Sequence, residues 1–317
     1  MEVNNNTPFP HLLFRAGLEK DKFAAAVVVR VTYDLKDGQA IPSEKQFWPV
    51  TAGPWESPYG LIAGDFIFKR GGVDIMVFGS AIAPGNQPAK RMEVRLRLPG
   101  KLDKTLKVFG DRIWESGFFG LSISDPLPFT EMPLSIANAF GGWAEWDELK
   151  FPFSSNPYGK GFVWDKASAI GKQLPNIENP YQLIGKWNDR PEPTGFASAP
   201  MSEKKVKKAV EFDADGNMVK FDPIFYNSAF PDLVVDSIMP GEEILIEGVL
   251  PSGVFKFIVP SQTLSVKLSF DEKISTRSFL IDQVGIEPNA NRAFVTYRYA
   301  FNYTLRPLTK RSIEILA

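Results

Sequence analysis

Cysteine is absent from the 317 residues. That excludes disulfides, thiolate metal sites and a cysteine nucleophile, and it fits a reducing compartment. Histidine is almost absent: His11 stands alone, between Phe9-Pro10 and Leu12. A single imidazole excludes any metal site built on two or three histidines of one chain, and among apolar neighbours it reads as structural. A dominant charge sign is missing as well. With 36 Lys and Arg against 37 Asp and Glu, no chain-wide field draws the protein to nucleic acid or to an anionic membrane. Long apolar runs are missing too. The longest near the start, Phe23 to Val29, is far short of the roughly 20 residues that cross a bilayer. The opening MEVNNNTPFPHLLF carries no basic leader before an apolar core. The expectation is a soluble, cytoplasmic protein with neither nucleic acid nor membrane as partner.

The motifs of catalysis are missing in the same way. There is no G-x-S-x-G elbow and no H-E-x-x-H. Tyr158-Gly159-Lys160-Gly161 lacks the Ser or Thr that follows the lysine of a phosphate loop. Asp213-Ala214-Asp215-Gly216-Asn217 begins like a calcium loop, but its twelfth position is Ile224, where a bidentate Glu is required. It reads as a turn. The carboxylates Asp111, Glu131, Glu145, Asp147 and Glu148 show no spacing that selects two of them as a hydrolytic pair. The sequence therefore points to no catalytic residue, no cofactor and no metal.

What is there is β-structure. Lys22 to Leu35 is rich in Val and leads into Lys36-Asp37-Gly38, the pattern of a buried strand entering a hairpin with Ile41 to Phe47. Asp74 to Ala83 reads as another strand. Arg91 to Leu98 alternates strictly, with Met92, Val94, Leu96 and Leu98 on one face and charges on the other. That is a half-buried antiparallel strand, and Lys104 to Phe109 repeats it. Near the other end, Glu243 to Leu250, Val254 to Val259, Leu264 to Phe270, Arg277 to Val284 and Ala293 to Arg298 are separated by Pro- and Gly-bearing turns. The expected fold is mainly β, with antiparallel sheets in a sandwich or barrel-like arrangement and little helix. One domain, 1–317, divides into a β-rich N-terminal region (1–130), an irregular central region (131–232) and a β-rich C-terminal region (233–317). Met201 to Asp213 reads as a short charged helix or a basic loop with solvated lysines.

Phe109 to Pro180 is a different kind of sequence. Glycine, proline and asparagine are threaded between large aromatics. Loops this long are uncommon in compact domains unless functional or disordered. Phe140, Trp143, Phe151, Phe153, Tyr158, Phe162 and Trp164 are too many aromatics for a solvated tail. The stretch reads as ordered and irregular, pinned by its rings. Aromatic side chains contribute large contact area for little side-chain entropy, so Phe118, Phe119, Trp143, Trp146 and Trp164 are the candidate partner-binding residues. An exposed strand edge is a second way to take up an extended peptide.

Ordered landmarks run through most of the chain: Asn6-Thr7-Pro8-Phe9; Asp74 to Gly79 with Ala83-Pro84-Gly85; Phe109-Gly110-Asp111-Arg112 with Trp114; Met132-Pro133-Leu134; Phe140-Gly141-Gly142; Asn156-Pro157-Tyr158-Gly159-Lys160-Gly161-Phe162; Leu174-Pro175-Asn176; Phe225 to Ala229; and Arg292 to Arg298. Taken together they resemble a bacterial domain-of-unknown-function family associated with type VI secretion as effector adaptors or chaperones. The stretch from about Lys186 to Lys208 departs from the pattern. The resemblance implies a non-enzymatic cytoplasmic protein that binds a toxic effector and helps load it onto the spike, a VgrG protein or its PAAR-type tip. It carries over no catalytic residue. The signature positions Phe109, Gly110, Asp111, Arg112, Phe140, Gly141, Gly142, Asn156, Pro157, Gly159, Gly161, Phe162, Pro175 and Asn176 are expected to act first as scaffold, since glycine permits positive φ and asparagine caps turns. The alternatives are a carboxylate-based hydrolase and a carbohydrate-binding module with a coplanar row of exposed rings.

Overall fold

A run of β-branched residues with almost no polar interruption belongs in a strand covered on both faces, and Lys22–Lys36 is that strand. Every residue from Ala24 to Tyr33 is buried. The computed structural model describes residues 1–36, 39–118, 120–306 and 310–317, and it is mainly β, in several sheets of mostly antiparallel strands. The largest sheet has seven strands. Its order is His11–Glu19, Lys22–Lys36, Arg292–Thr304, Leu280–Glu287, Val73–Val77 and Val234–Val235, with Gln39–Pro42 also paired to Lys22–Lys36. Lys22–Lys36 and Arg292–Thr304 run antiparallel from Lys22↔Thr304 to Asp34↔Arg292. Leu280–Glu287 and Val73–Val77 are parallel.

A five-stranded sheet holds Ile177–Glu178, Leu102–Phe109, Arg91–Leu98, Glu243–Glu247 and Val254–Ile258 in that order. The alternation read in Arg91 to Leu98 is realised there, with Val94, Leu96 and Leu98 buried. A four-stranded sheet holds Glu2–Asn5, Arg311–Leu316, Ser265–Phe270 and Lys273–Ser278. All three contribute to one apolar core, with Val29, Val31, Leu96, Leu106, Ile244, Phe257, Val266 and Ile313 among its members. Strands from the first and last thirds of the chain thus lie side by side in the same sheets.

Because side chains alternate along a strand, Arg30 lies between Val29 and Val31 but faces away from that core. Its guanidinium donates to Thr296 Oγ1 (2.8 Å), Asp65 Oδ1 (2.7 Å) and Gln283 Oε1 (3.0 Å). Arg70 sits 3.5 Å from Asp74 and 3.7 Å from Asp282, and Arg298 donates to Asp282. Asp74 also accepts from Asn227 Nδ2 and the Ser228 amide, both at 2.8 Å. Three guanidiniums and three carboxylates are therefore buried together on the outer face of the main sheet. Charges taken out of water survive only when paired in this way.

Several sequence expectations shift. Asp74 to Ala83 is two strands, Val73–Val77 and Ser80–Ile82, parted at Gly79, whose φ is +135°. The first belongs to the seven-stranded sheet, while the second pairs with Glu131–Pro133. Arg277 to Val284 likewise breaks at Phe279 between two sheets. The partner of the first long strand is Gln39–Pro42 rather than Ile41 to Phe47; proline gives the ladder no N–H. The Asp37-Gly38 turn lies outside the described residues. Ala293 to Arg298 extends to Arg292–Thr304. Met201 to Asp213 resolves into helix Glu203–Ala209, capped by Ser202, and strand Val210–Phe212. The Asp213 loop is a turn in which Asp213 Oδ1 accepts from the amides of Asp215 and Asn217.

Candidate functional site

The irregular stretch folds around side-chain amides. Asn156, fully buried, donates from Nδ2 to the carbonyls of Ile136 and Phe140, both at 3.0 Å, and accepts from the Tyr158 amide at 3.2 Å. This holds the turn through Pro157 to Gly159 against Phe140–Gly141, which pairs in parallel with Lys160–Gly161. Gly141 has φ +148°, and a Cβ there would run into the Asn156 carbonyl, so only glycine fits. Gly142 follows, its amide bound to the same carbonyl at 2.8 Å. Pro175 lies against Gly161.

A second amide works the same way. Asn176 Nδ2 donates to the Phe109 carbonyl and to Asp111 Oδ1, both at 3.0 Å, and its backbone carbonyl accepts from the Phe109 amide. Arg112 stacks 3.7 Å over the Phe109 ring while donating to the Pro175 carbonyl at 2.7 Å and to Glu178. A Cβ on Gly110 would collide with the Leu127 carbonyl. The signature residues from Phe109 to Asn176, scattered in sequence, are thereby knotted into one unit. Under it lies a second, smaller apolar cluster of Trp114, Phe140, Val163, Ala169, Leu174 and Ile184.

From this cluster a chain of rings climbs to the surface. Phe140 meets Phe153 at 4.9 Å, Phe153 meets Phe162 at 5.3 Å, and Phe162 meets Phe151 at 5.9 Å. Phe151 then meets Trp164 edge-on at 4.8 Å, and Trp164 lies 6.1 Å from Trp146. The Arg190 guanidinium sits 5.0 Å over Phe162. Phe140 is 3% exposed, whereas Trp164 is 46% and Trp146 51% exposed; the series ends as a solvent-exposed patch. Its geometry follows from a hairpin, Trp143–Trp146 with Leu149–Pro152, in which Trp146 stands opposite Leu149 and Ala144 opposite Phe151. Directly paired residues share a face, so Trp146, Leu149 and Phe151 point one way. Trp143, Glu145 and Lys150 point the other, and Glu145 pairs with Lys150 at 2.9 Å.

The candidate partner-binding residues divide accordingly. Trp146 and Trp164 come together. Trp143 is exposed on the opposite face of the same hairpin. Phe118, 96% exposed, caps a separate hairpin, Trp114–Gly117 with Gly120–Ile123. Phe119 lies outside the described residues. Leu149, 62% exposed, belongs to the patch and escaped the sequence reading, although the W-A-E-W-D-E-L-K-F pattern around an Asp-Glu turn encodes it.

The charged groups of the unit are tied down. The Lys150 hydrogen bond holds the Glu145 carboxyl below its usual range. Hydrogen bonds from Ser168, then Ala167, do the same for Asp165, which caps helix Lys166–Ala169. Burial pushes Lys160 down from the ordinary lysine value, offset partially by Asp111. Among the described residues no group of three or more His, Cys, Asp or Glu could hold a metal ion. No described helix is long and apolar enough to cross a membrane.

No curated protein and no solved structure matches the chain. A family model, described as an uncharacterized protein conserved in bacteria (DUF2169), matches residues 20–298. That span takes in Lys22–Lys36, the first half of its partner Arg292–Thr304, the amide-built knot and the ring chain. The chain belongs to this bacterial family.

Proposed function

We propose that the protein is a non-enzymatic adaptor that binds a type VI secretion effector and helps load it onto a VgrG spike or its PAAR-type tip. The observation that carries this reading is the exposed patch of Trp146, Leu149 and Trp164, backed by half-buried Phe151, on a unit assembled by the signature residues. Aromatic anchors of this kind, rigid and half-exposed, are the composition of protein-binding hot spots. The resemblance of the ordered landmarks to effector adaptors supplies the partner class. The cytoplasm is where such loading takes place.

The rival readings find less support. Trp146 and Trp164 are tilted 38° to one another and Phe151 stands at 89° to Trp164, unlike the coplanar row a sugar-binding face presents. Glu145 is engaged by Lys150, and Asp111 accepts from Asn176, so these acids serve ion pairing and loop structure. The test is co-purification of the tagged protein from its native host, with partners identified by mass spectrometry. One large toxin or spike component at near-equal amount, lost on Trp146→Ala/Trp164→Ala, is the expected result. Recovery of the protein alone with secretion genes expressed would sink the proposal.

A further inference from the structure

The patch has a charge environment that selects among partners. Asp147 and Glu148 form the turn between Trp146 and Leu149, and Asp165 follows Trp164 directly. Three carboxylates thus neighbour the exposed rings in the chain, Asp165 with Oδ1 already accepting from the Ala167 and Ser168 amides. The nearby cations are directed elsewhere, Lys172 toward Glu145. Lys150 is on the opposite face of the hairpin, paired with Glu145. Lys166 reaches toward Gly120 on the neighbouring hairpin. The Arg190 guanidinium lies over Phe162 and donates to the carbonyls of Val163, Trp187 and Asp189. What remains at the rim is negative charge beside indole faces.

Resting on the adaptor reading above, we infer that this patch receives a cationic segment of the partner, one that presents Lys or Arg beside aliphatic anchors. Two attractions act on the same group. Indole is the strongest aromatic acceptor for a cation over its face, and the rim carboxylates add complementary charge that steers encounter and fixes register. An acidic segment meets like charge at the rim and is rejected. Leu149, more exposed than either indole, supplies the apolar floor for the aliphatic anchors.

The experiment uses the full chain and two synthetic peptides of one leucine pattern, one with Lys and the other with Glu at every remaining position. Binding is followed by tryptophan fluorescence and by calorimetry. The Lys peptide is expected to bind about tenfold more tightly, an advantage that shrinks as salt is raised. Asp147→Lys/Glu148→Lys is expected to reverse the preference, and Trp146→Ala/Trp164→Ala to abolish binding of the Lys peptide, both with a cooperative urea transition retained. Equal binding of the two peptides, or a preference that survives charge reversal, overturns the inference. The native partner separates the cationic-segment inference from the adaptor reading beneath it. A partner lost in the tryptophan variant but retained after charge reversal leaves the adaptor reading standing and removes the cationic segment. Failure of the tagged protein to capture any spike component or toxin, with the peptide preference intact, removes the adaptor reading alone.

Discussion

Around Lys22–Lys36, order comes from long strand pairing and from apolar area. The strand is flanked on both edges, and an apolar core fills one face of the sheet while six charges fill the other. Around Phe140–Gly141 the strands are two to four residues long and the apolar cluster is small. Order there comes from Asn156 and Asn176, whose amides bridge segments far apart in sequence, together with short backbone pairings and the Arg112–Glu178 pair. The first region distributes its stability over many contacts. The second concentrates its geometry in a few hydrogen bonds and forced glycines. An irregular sequence is therefore not a loosely specified one.

The comparison breaks first in the ion cluster. Arg30→Ala leaves Asp65 buried without its closest cation, and removing one partner of a buried pair costs about 3–5 kcal/mol. The expected outcome is global: insoluble protein, or a large drop in the urea midpoint. Arg30→Lys is expected to rescue little, because a single ammonium cannot reproduce the fork that reaches Thr296, Asp65 and Gln283. A near-normal midpoint for either variant would show that the cluster is dispensable.

Asn156→Ala is the corresponding cut in the other region. It strands the Phe140 carbonyl and leaves the Ile136 carbonyl with the Ala139 amide alone, at a cost of about 1–3 kcal/mol for a buried group left unpaired. Hydrogen exchange should show protection lost across residues 136–164 while Lys22–Lys36 stays protected. Uniform loss in both regions would mean the two fold as one unit.

Acid sharpens the contrast through Glu287, which belongs to the main sheet. Burial alone would push its carboxyl up, but hydrogen bonds from Arg292, Trp48 and Tyr59 together outweigh that and hold it below the ordinary value. A folded-state value below the unfolded one gives stability that is present above the unfolded carboxylate value of about 4.3 and is lost as pH falls through the folded value. Melting temperature should therefore fall more steeply below about pH 4 in the parent than in Glu287→Gln, which has already forfeited that contribution. Parallel curves would contradict the assignment.

The smallest effect on stability is expected at the patch. Trp146→Ala and Trp164→Ala remove half-exposed rings and their ring contacts, and each should lower stability by about 1 kcal/mol while weakening partner capture severely. A large loss of stability would mean that the rings serve the fold.

Much of the main region was legible in the sequence. Strand periodicity and β-branched content identified Lys22 to Leu35 and Arg91 to Leu98, because burial on one or two faces imprints directly on the pattern. The breaks at Gly79 and Phe279 were not legible, since a strand that changes sheets keeps its β-character on both sides. Nor was the ion cluster, although Arg30 amid valines marked a polar group on a buried strand; its partners come from Asp65, Arg70, Asp74, Asp282 and Arg298. In the irregular region the signature residues were visible one by one. Which of them bond to which was not, because a side-chain amide leaves no periodicity. The pairing of Trp146 with Trp164 was hidden for the same reason, since it depends on how the hairpin is seated.

The long central pairing has a consequence for how the protein is made. Arg30 and Thr296 bond across 266 residues. At a translation speed of about 5–20 residues per second, one edge of the valine-rich strand waits roughly 15–50 s for its neighbour to be synthesised. His11–Glu19 can cover the other edge at once. During that interval the nascent chain displays the open, apolar strand edge that promotes aggregation, so a protein proposed to carry another is itself, while being born, in need of cover.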